Sequence, residues 1–480
     1  MILCALLISL NQPRQRIYKS YLLSLNPLTS RQFSMQKVGL FWFNHDLRMD
    51  DNATLLRAAA EVDKLICLYC VDTARAGPGW QQPAKLGARR REFLFESLQD
   101  LETQLSQYGQ KLVVRMQPPL EAIAQLITVH NVSHLYSSKH VGSHEKRIWK
   151  TLSKRYSMLQ FTQSHTHTLF DPSQLPFDID QLPESFSKFR RLVEKMDLDT
   201  VINPPLDAPA SLPPPALVAD MAWQPAWQEQ FPSNPNEQSP ALFKGGASAG
   251  EQHLRGYFAK DIASSYKQTR NGLDGMDYST KFSPWLANGT LSPRRIVQQL
   301  QEYEARAGAN DSTYWIFFEL LWREYFQWYG HSHRQQLYAF SGIANSAPTT
   351  SFYPERYKKW CAGNTPYPII NACMKQLNIT GYLSNRGRQL VASCFVHEMG
   401  LDWRHGAAYM EQQLVDFDVA SNWGNWQYLA GVGADPRGHR RFDLHKQAQI
   451  YDPQNQFVQR WAGEQTLLPL DSVDAADWPI

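Results

Sequence analysis

The sequence predicts an N-terminal α/β domain with a doubly wound parallel sheet, followed by an all-α C-terminal domain. Three observations carry that expectation. Short apolar runs alternate with helix-like stretches through the first part of the chain. A Pro-rich segment without regular periodicity follows over residues 203–240. Beyond it the strand signals fade and helical periodicity takes over. With 480 residues and 43% hydrophobic content, the chain has material for two cores.

Residues 1–34 stand apart. "MILCALLISL" is apolar but too short to span a bilayer. No acid precedes Asp46, whereas Arg14, Arg16, Lys19 and Arg31 do. The segment reads as a targeting extension or as a mis-assigned start, and Met35 before "QKVGLFWF" favours the second. The α/β domain is expected over 35–170. Its strands are "KVGLFWF" (37–43), "KLICLYCV" (64–71), "KLVVRM" (111–116) and "VSHLYSS" (132–138). Helices are expected over 89–109, 119–131 and 143–156. No GxGxxG follows the first strand, so the usual dinucleotide site is not expected there.

Residues 171–245 read as an interdomain connector and 246–480 as the helical domain. Six stretches of the latter suit helices, among them "SPRRIVQQLQEYEARAG", "STYWIFFELLWREYFQWYG" and "NRGRQLVASCFVHEMG". No segment suits a membrane span, which points to the cytoplasm, or to an organelle if residues 1–34 are a transit peptide. The six Cys are scattered and form no disulfide framework. "CLYC" has redox-motif spacing, but in a strand Cys67 and Cys70 face opposite ways, so packing is expected. "HTHT" (165–168) and "HSH" (331–333) lack zinc spacing, and no metal is expected.

Lys+Arg total 48 and Asp+Glu 45, so a nucleic-acid face must be local. Candidates are "KFRRLVEK" (188–195) and "DPRGHRR", with Arg437. The 15 Trp suit either a large aromatic core or stacking on planar ligands. Chemistry gathers in three stretches. In "YSTKFSPWLANGTLSPRR", Ser279, Thr280, Lys281 and Ser283 surround a Ser-Pro helix start, which suits phosphate oxygens or serves only as a cap. In "FELLWREYF", Glu319, Trp322 and Arg323 share a helix face, as a wall for a planar polar ligand or as an intrahelical ion pair. In "SNRGRQLVAS" and "DFDVASNWGNWQYLA", Arg388 suits a pair with Asp416, and Asp418 suits sugar hydroxyls.

Together, "FWFNHDLRMDDNATL" (41–55), "TRNGLDGMDYSTKFSPWLANGTLSPR" (269–294), "ELLWREYF", "TGYLSNRGRQLVAS" and "DFDVASNWGNWQYLAGVGADPRGHRRFDLHKQAQIYDP" (416–453) resemble the photolyase/cryptochrome family. The resemblance is nearest to its cryptochrome DASH branch and runs from about Lys37 to Pro453. It implies an α/β antenna domain and a helical domain that binds FAD. Tyr266, Ser279, Thr280, Lys281, Phe282 and Ser283 would hold the cofactor's pyrophosphate side. Arg388 and Asp416 would pair beside the isoalloxazine, Asp418 would face the ribose or adenine, and Asn422 would meet flavin N5. Trp426 and Trp403 would relay electrons, but the position of the third Trp aligns near Thr350, with Phe352 or Tyr353 as substitutes.

The implied activity is light-driven repair of cyclobutane pyrimidine dimers, mainly in single-stranded DNA. The alternative is a blue-light photoreceptor. Glu319 and Asn385 would meet the pyrimidine edges, and Trp322 would stack on the lesion. Arg323, Gln389, Tyr428 and Arg437 would complete the DNA side. Gln389 and Tyr428 stand where classical dimer photolyases have Met and Trp, which weakens lesion gripping. Glu145, in "VGSHEKR", would present a carboxylate to a folate antenna, expected to be 5,10-methenyltetrahydrofolate. A monomer acting on single-stranded DNA, or on RNA, is expected.

Overall fold

The computed structural model describes residues 36–72, 86–216, 241–434 and 441–466. The extension at 1–34 lies outside these residues. Five parallel strands form one sheet: β1 (Val38–Phe43), β2 (Lys64–Cys70), β3 (Leu112–Arg115), β4 (His134–Ser138) and β5 (Gln160–Ser164). Their order is β3-β2-β1-β4-β5, so the winding reverses between β1 and β4. A crevice at the carboxyl ends of the strands is the usual ligand site in such a sheet. Helices α1 (Ala53–Glu61), α2 (Ala88–Gln107), α3 (Pro119–His130) and α4 (Ser143–Arg155) belong to this unit.

Every residue of β1 is buried, as a strand covered on both faces requires. Phe41 and Phe43 enter one core with Leu65 and Leu101, while Leu40 and Trp42 enter the opposite one with Ile66 and Ile123. Cys67 and Cys70 follow the same alternation into opposite cores. Burial pushes the Cys67 thiol up to about 12, so neither spacing nor chemistry suits a dithiol site. The fifth strand was not expected. "QFTQS" is polar, short and paired only with β4, so it carries little periodic signal. Helix α1, also unexpected, starts at Asn52, whose side chain accepts from Leu55 N at 3.1 Å.

The described part of the expected connector, residues 171–216 and 241–245, packs against both halves. Helix α5 (Phe186–Val193) buries Phe186, Phe189 and Val193 in the core of the helical half. Pro215 bridges Leu65 of β2, and Leu212 enters a sheet core. The helical half contains α6 (Ala247–Ala259), α7 (Ser283–Asn288), α8 (Pro293–Ala307), α9 (Asp311–His333) and α10 (Pro354–Ala362). It continues with α11 (Pro368–Thr380), α12 (Asn385–Ser393), α13 (Trp403–Gln413), α14 (Val419–Leu429), α15 (Leu444–Tyr451) and α16 (Gln456–Arg460). No helix among the described residues is long and apolar enough to cross a membrane.

A buried ionic junction ties the strand ends to the helices. Arg48, 1% exposed, donates to the carbonyls of Asp50, Asp51, Thr166 and Gly289 at 2.7–3.0 Å. Asp51 accepts from Arg294 at 2.8 and 3.1 Å, from Leu206 N at 3.1 Å, and from the Ser292 hydroxyl. At Gly289, φ is +71° and a Cβ would lie 1.8 Å from the His45 carbonyl, so only glycine permits this approach.

A second buried acid, Glu324 of α9, accepts from Leu169 N, Phe170 N and Trp328 Nε1 at 2.8, 3.3 and 2.7 Å. Burial outweighs these donors and raises its pKa from 4.5 to about 7. Between those values the unfolded chain has lost a proton that the folded chain keeps, so this group makes stability fall as pH rises through the window. Glu324→Gln is expected to lower stability at every pH, because one amide oxygen cannot serve three donors, and to flatten that slope. Urea unfolding across the window checks this, and an unchanged slope would assign the proton to another group.

Candidate functional site

Two cavities flank α7. The first, of about 230 Å³, is lined by residues from 266–287, α9, 382–388 and 416–421. All six residues expected on the pyrophosphate side line it: Tyr266, Ser279, Thr280, Lys281, Phe282 and Ser283. Lys281 adopts φ +54° directly before α7 and is only 5% exposed. Its ammonium lies 4.7 Å from the Tyr382 ring centroid and 3.4 Å from the Tyr382 hydroxyl. Among the described residues no carboxylate pairs with it. A buried ammonium without an anion is costly, so this wall favours an anionic ligand.

Opposite stands the pair expected between Arg388 and Asp416, at 2.6 Å. Arg388 also donates to Leu383 O at 2.8 Å, which fixes the guanidinium. The second oxygen of Asp416, Oδ1, is buried and has no hydrogen-bond partner. It is an acceptor aimed at a donor that the protein does not supply. Asp418 lines the same cavity but is partly committed. It caps α14 by accepting from Ser421 N at 2.7 Å, and it accepts from Gln327 Nε2 at 3.0 and 2.9 Å. Burial alone would raise its pKa, but the Arg323 charge and the Ser421 contacts hold it below the usual carboxylate range. Asn422, expected to meet the flavin, follows one turn into α14 but is not among the lining residues: it is buried, with its side-chain amide donating to Ala407 O at 3.0 Å.

Helix α9 divides the residues expected on one face. Glu319 and Arg323 line the cavity. Trp322, expected to stack on a lesion, is instead partly buried against the helical core, stacked on Phe186 at 3.8 Å and on Phe326 at 5.6 Å and edge-on to Tyr428 at 6.0 Å. The intrahelical Glu319–Arg323 pair is not formed. Arg323 donates to the carbonyls of His167 and Leu286, and so sits with the cavity rather than with Trp322. Glu319 pairs instead with Arg270, whose guanidinium lies 4.2 Å over the Trp315 ring. Asn385 is exposed at the cavity rim, and Gln389, on the next turn of α12, is half-buried. Sequence reasoning assigned no role to Arg270 or to the neighbouring Arg386, although both lie in the motif stretches. Contacts that join residues 49 positions apart leave no local pattern.

Trp426 is buried, 5.5 Å from Phe395 and 6.2 Å from Trp360. Trp403 is buried against Trp423 at 5.8 Å. Gly406, one turn after Trp403, packs on Trp426, where a Cβ would meet the indole at 2.2 Å. Phe352 is exposed and stacks on His405 at 3.9 Å, and Tyr353 is exposed beneath Arg356.

The second cavity, of about 120 Å³, opens at the carboxyl ends of β1 and β2. Trp42, Tyr69, Arg90, Phe93 and Glu145 are among its lining residues. Glu145 is 8% exposed, and its carboxylate lies 3.4 Å from His140 Nδ1. Ala287 lines both cavities. Residues 415–418 alternate: Val415 and Phe417 face this cavity, Asp416 and Asp418 the other. One layer of side chains therefore separates the two. Of the basic runs, 188–195 lies on and after α5, with Lys188 and Arg190 paired to Glu184 and Glu194. Arg437 lies outside the described residues.

Comparison with known proteins agrees with this arrangement. The family model described as DNA photolyase matches residues 39–211, and that described as the FAD binding domain of DNA photolyase matches residues 315–478. A cryptochrome DASH of Vibrio parahaemolyticus is 51% identical over 446 residues, covering 93% of this chain and 98% of that protein. One from Idiomarina loihiensis is 50% identical, covering 92% and 97%. The crystal structure of a Synechocystis cryptochrome superposes with a TM-score of 0.82 at 39% identity, covering 91% of each chain.

The buried Lys281 ammonium gives a test. Lys281→Met is expected to weaken FAD binding by about 10–100-fold, the equivalent of a charge-assisted bond worth about 1.5–3 kcal/mol. Riboflavin, which has no phosphate, is expected to bind the variant and the wild type alike. Equilibrium dialysis of both ligands checks this, and equal losses for the two would remove Lys281 from the phosphate site.

Proposed function

The chain belongs to the photolyase/cryptochrome family, in its cryptochrome DASH branch, and from that membership we propose that it repairs cyclobutane pyrimidine dimers in single-stranded DNA under blue light. The observation that carries the reading is the cavity that gathers the buried Lys281 ammonium, the Arg388–Asp416 pair and the unpartnered Asp416 Oδ1. The residues present suit FAD. Lys281, Ser279 and Thr280 offer a cation and hydroxyls to a pyrophosphate, and the unpartnered Asp416 Oδ1 offers an acceptor to a ring or sugar donor. When bound, the flavin supplies light-driven transfer of one electron. Arg388 is held by Asp416 and Leu383 O as a fixed positive charge facing the cavity. The Asn422 amide nitrogen is committed to Ala407 O, which leaves its oxygen as the group it could offer to a flavin.

Tyr428, half-buried and edge-on to Trp322, would offer its ring to an extruded pair of bases, with Trp322 reached only where Phe186 leaves it uncovered. Glu319 and Asn385 stand at the rim, where base edges would arrive. Stacking on an aromatic ring is worth about 1–3 kcal/mol per base, against a few kcal/mol to pull a pair out of a duplex. Tyr428 offers less surface than a Trp, and Gln389 is polar, so the balance favours a strand that needs no flipping. Arg270, in the cavity wall, suits a backbone phosphate.

The second cavity suits a light-harvesting folate, 5,10-methenyltetrahydrofolate. Its walls carry flat rings, and the buried Glu145 carboxylate can accept from a pterin.

Two tests follow. Irradiation of the flavin-loaded protein with dimer-containing single-stranded, bubble and duplex oligonucleotides is expected to restore monomers in that order of efficiency, and not in the dark. No recovery on any of them would refute the reading. Blue-light reduction of the bound flavin is expected to slow in Trp403→Phe and, by a smaller factor, in Tyr353→Phe. If both variants reduce at the wild-type rate, the electrons travel by another route, for which the contact of Trp426 with Trp360 is the nearest alternative.

A further inference from the structure

Three neighbouring strands deliver histidines to one place at their carboxyl ends. His45 follows β1, His140 follows β4 and His167 follows β5, while Glu145 lies in the first turn of α4. One ligand atom each from His45, His140 and Glu145 lies within 4.8 Å of the other two. The His45 and His140 rings stack at 4.4 Å. His140 Nδ1 accepts from Gly142 N at 3.0 Å, so it presents a lone pair and not a proton. It nevertheless stands 3.4 Å from a Glu145 carboxylate oxygen, and both side chains are buried. Two buried acceptors at that distance repel each other, and a cation between them removes the repulsion. His167 packs edge-on against His140 at 5.7 Å, and it is buried with no hydrogen-bond partner for its Nε2. Burial, then the charges of His140, Arg48, His45 and Arg323, hold its pKa well below the usual imidazole range, so its ring is neutral.

We propose that His45, His140 and Glu145 bind a divalent transition metal, zinc foremost, with a water in the fourth position held by His167 Nε2. Tetrahedral ligand atoms on bonds of about 2.0–2.2 Å lie about 3.3–3.6 Å apart. His140 Nδ1 and Glu145 Oε2 already have that spacing. Zinc takes the His140 lone pair, and the Gly142 N–H is left to the Glu145 carboxylate, whose Oε2 packs against the glycine. Two imidazoles select zinc, copper or nickel over magnesium and calcium, which want oxygen ligands. Arg48 and Arg323, whose charges reach His167, donate to the carbonyls of Thr166 and His167 rather than to these ligands. The place is the crevice where the winding reverses between β1 and β4. Because the ligands come from separate loops, no zinc spacing marks them in the sequence. The metal shares His45 and Glu145 with the walls of the second cavity, but His140 and His167 do not line that cavity. Metal and folate binding are therefore separable by mutation.

The test is zinc titration of the flavin-loaded full chain, first stripped by a chelator and free of folate, in competition with a chromogenic chelator. One zinc per chain is expected. His45→Ala and His140→Ala are each expected to weaken it by more than about 100-fold, and His167→Ala by about 10–100-fold, the usual loss when a group behind the ligands is removed. His144→Ala is expected to leave the affinity unchanged, since His144 pairs with Asp72 at 2.6 Å. Retained flavin absorbance in each variant reports that it has folded. Cobalt(II) in the wild type is expected to show the strong visible absorption of a four-coordinate ion. No zinc bound by the wild type, or an affinity unmoved in both His45→Ala and His140→Ala, would overturn the site. An affinity unmoved in His167→Ala would overturn the placing of the water.

Discussion

Both cavities depend on one buried junction. Arg48 and Asp51 follow β1, and between them they bind the backbone at 166, 206 and 289 together with the first turn of α8. Breaking such a pair leaves an uncompensated buried charge, which costs about 3–5 kcal/mol. Its geometric role is as important. It seats Gly289 against the His45 carbonyl and so fixes α7 at the carboxyl edge of the sheet. The two cavities lie on either side of that short helix and share Ala287. If α7 shifted, both would change together.

That shared wall explains a pattern in the sequence that pure packing does not. In "VDFD" the apolar residues face the sheet-side cavity and the acids face the helical one. The acids then serve different ends. Asp416 fixes Arg388 and keeps one oxygen open, whereas Asp418 caps α14 and leans on Gln327. The helical cavity thereby gathers cations, Lys281 foremost, that its own acids do not neutralise. An anionic cofactor is the economical solution to that excess, and membership of an FAD-binding family supplies one.

Much of this was legible in the sequence because it is local. The strand alternation placed Cys67 and Cys70 in opposite cores, and the Ser-Thr-Lys run before Ser283-Pro284 lines the cavity. What was not legible is non-local or weakly periodic. The polar strand "QFTQS" is held by pairing with β4, not by its own pattern. The segment 203–216 reads as a linker because its prolines mark irregular chain, yet Leu212 and Pro215 lie against the sheet. The partner of Glu319 was expected four residues away in Arg323 and is found in Arg270. Helical spacing gives which residues can meet along one helix, but it is silent on a competitor from another element.

Binding of FAD by the helical cavity through Lys281 is best tested by a crystal structure of the flavin-loaded protein. Pyrophosphate oxygens are expected within hydrogen-bond distance of Lys281 Nζ, with a flavin or sugar donor on Asp416 Oδ1 and the isoalloxazine beside Arg388. A flavin seated elsewhere, or Lys281 paired with a protein carboxylate while the cofactor is bound, would contradict it.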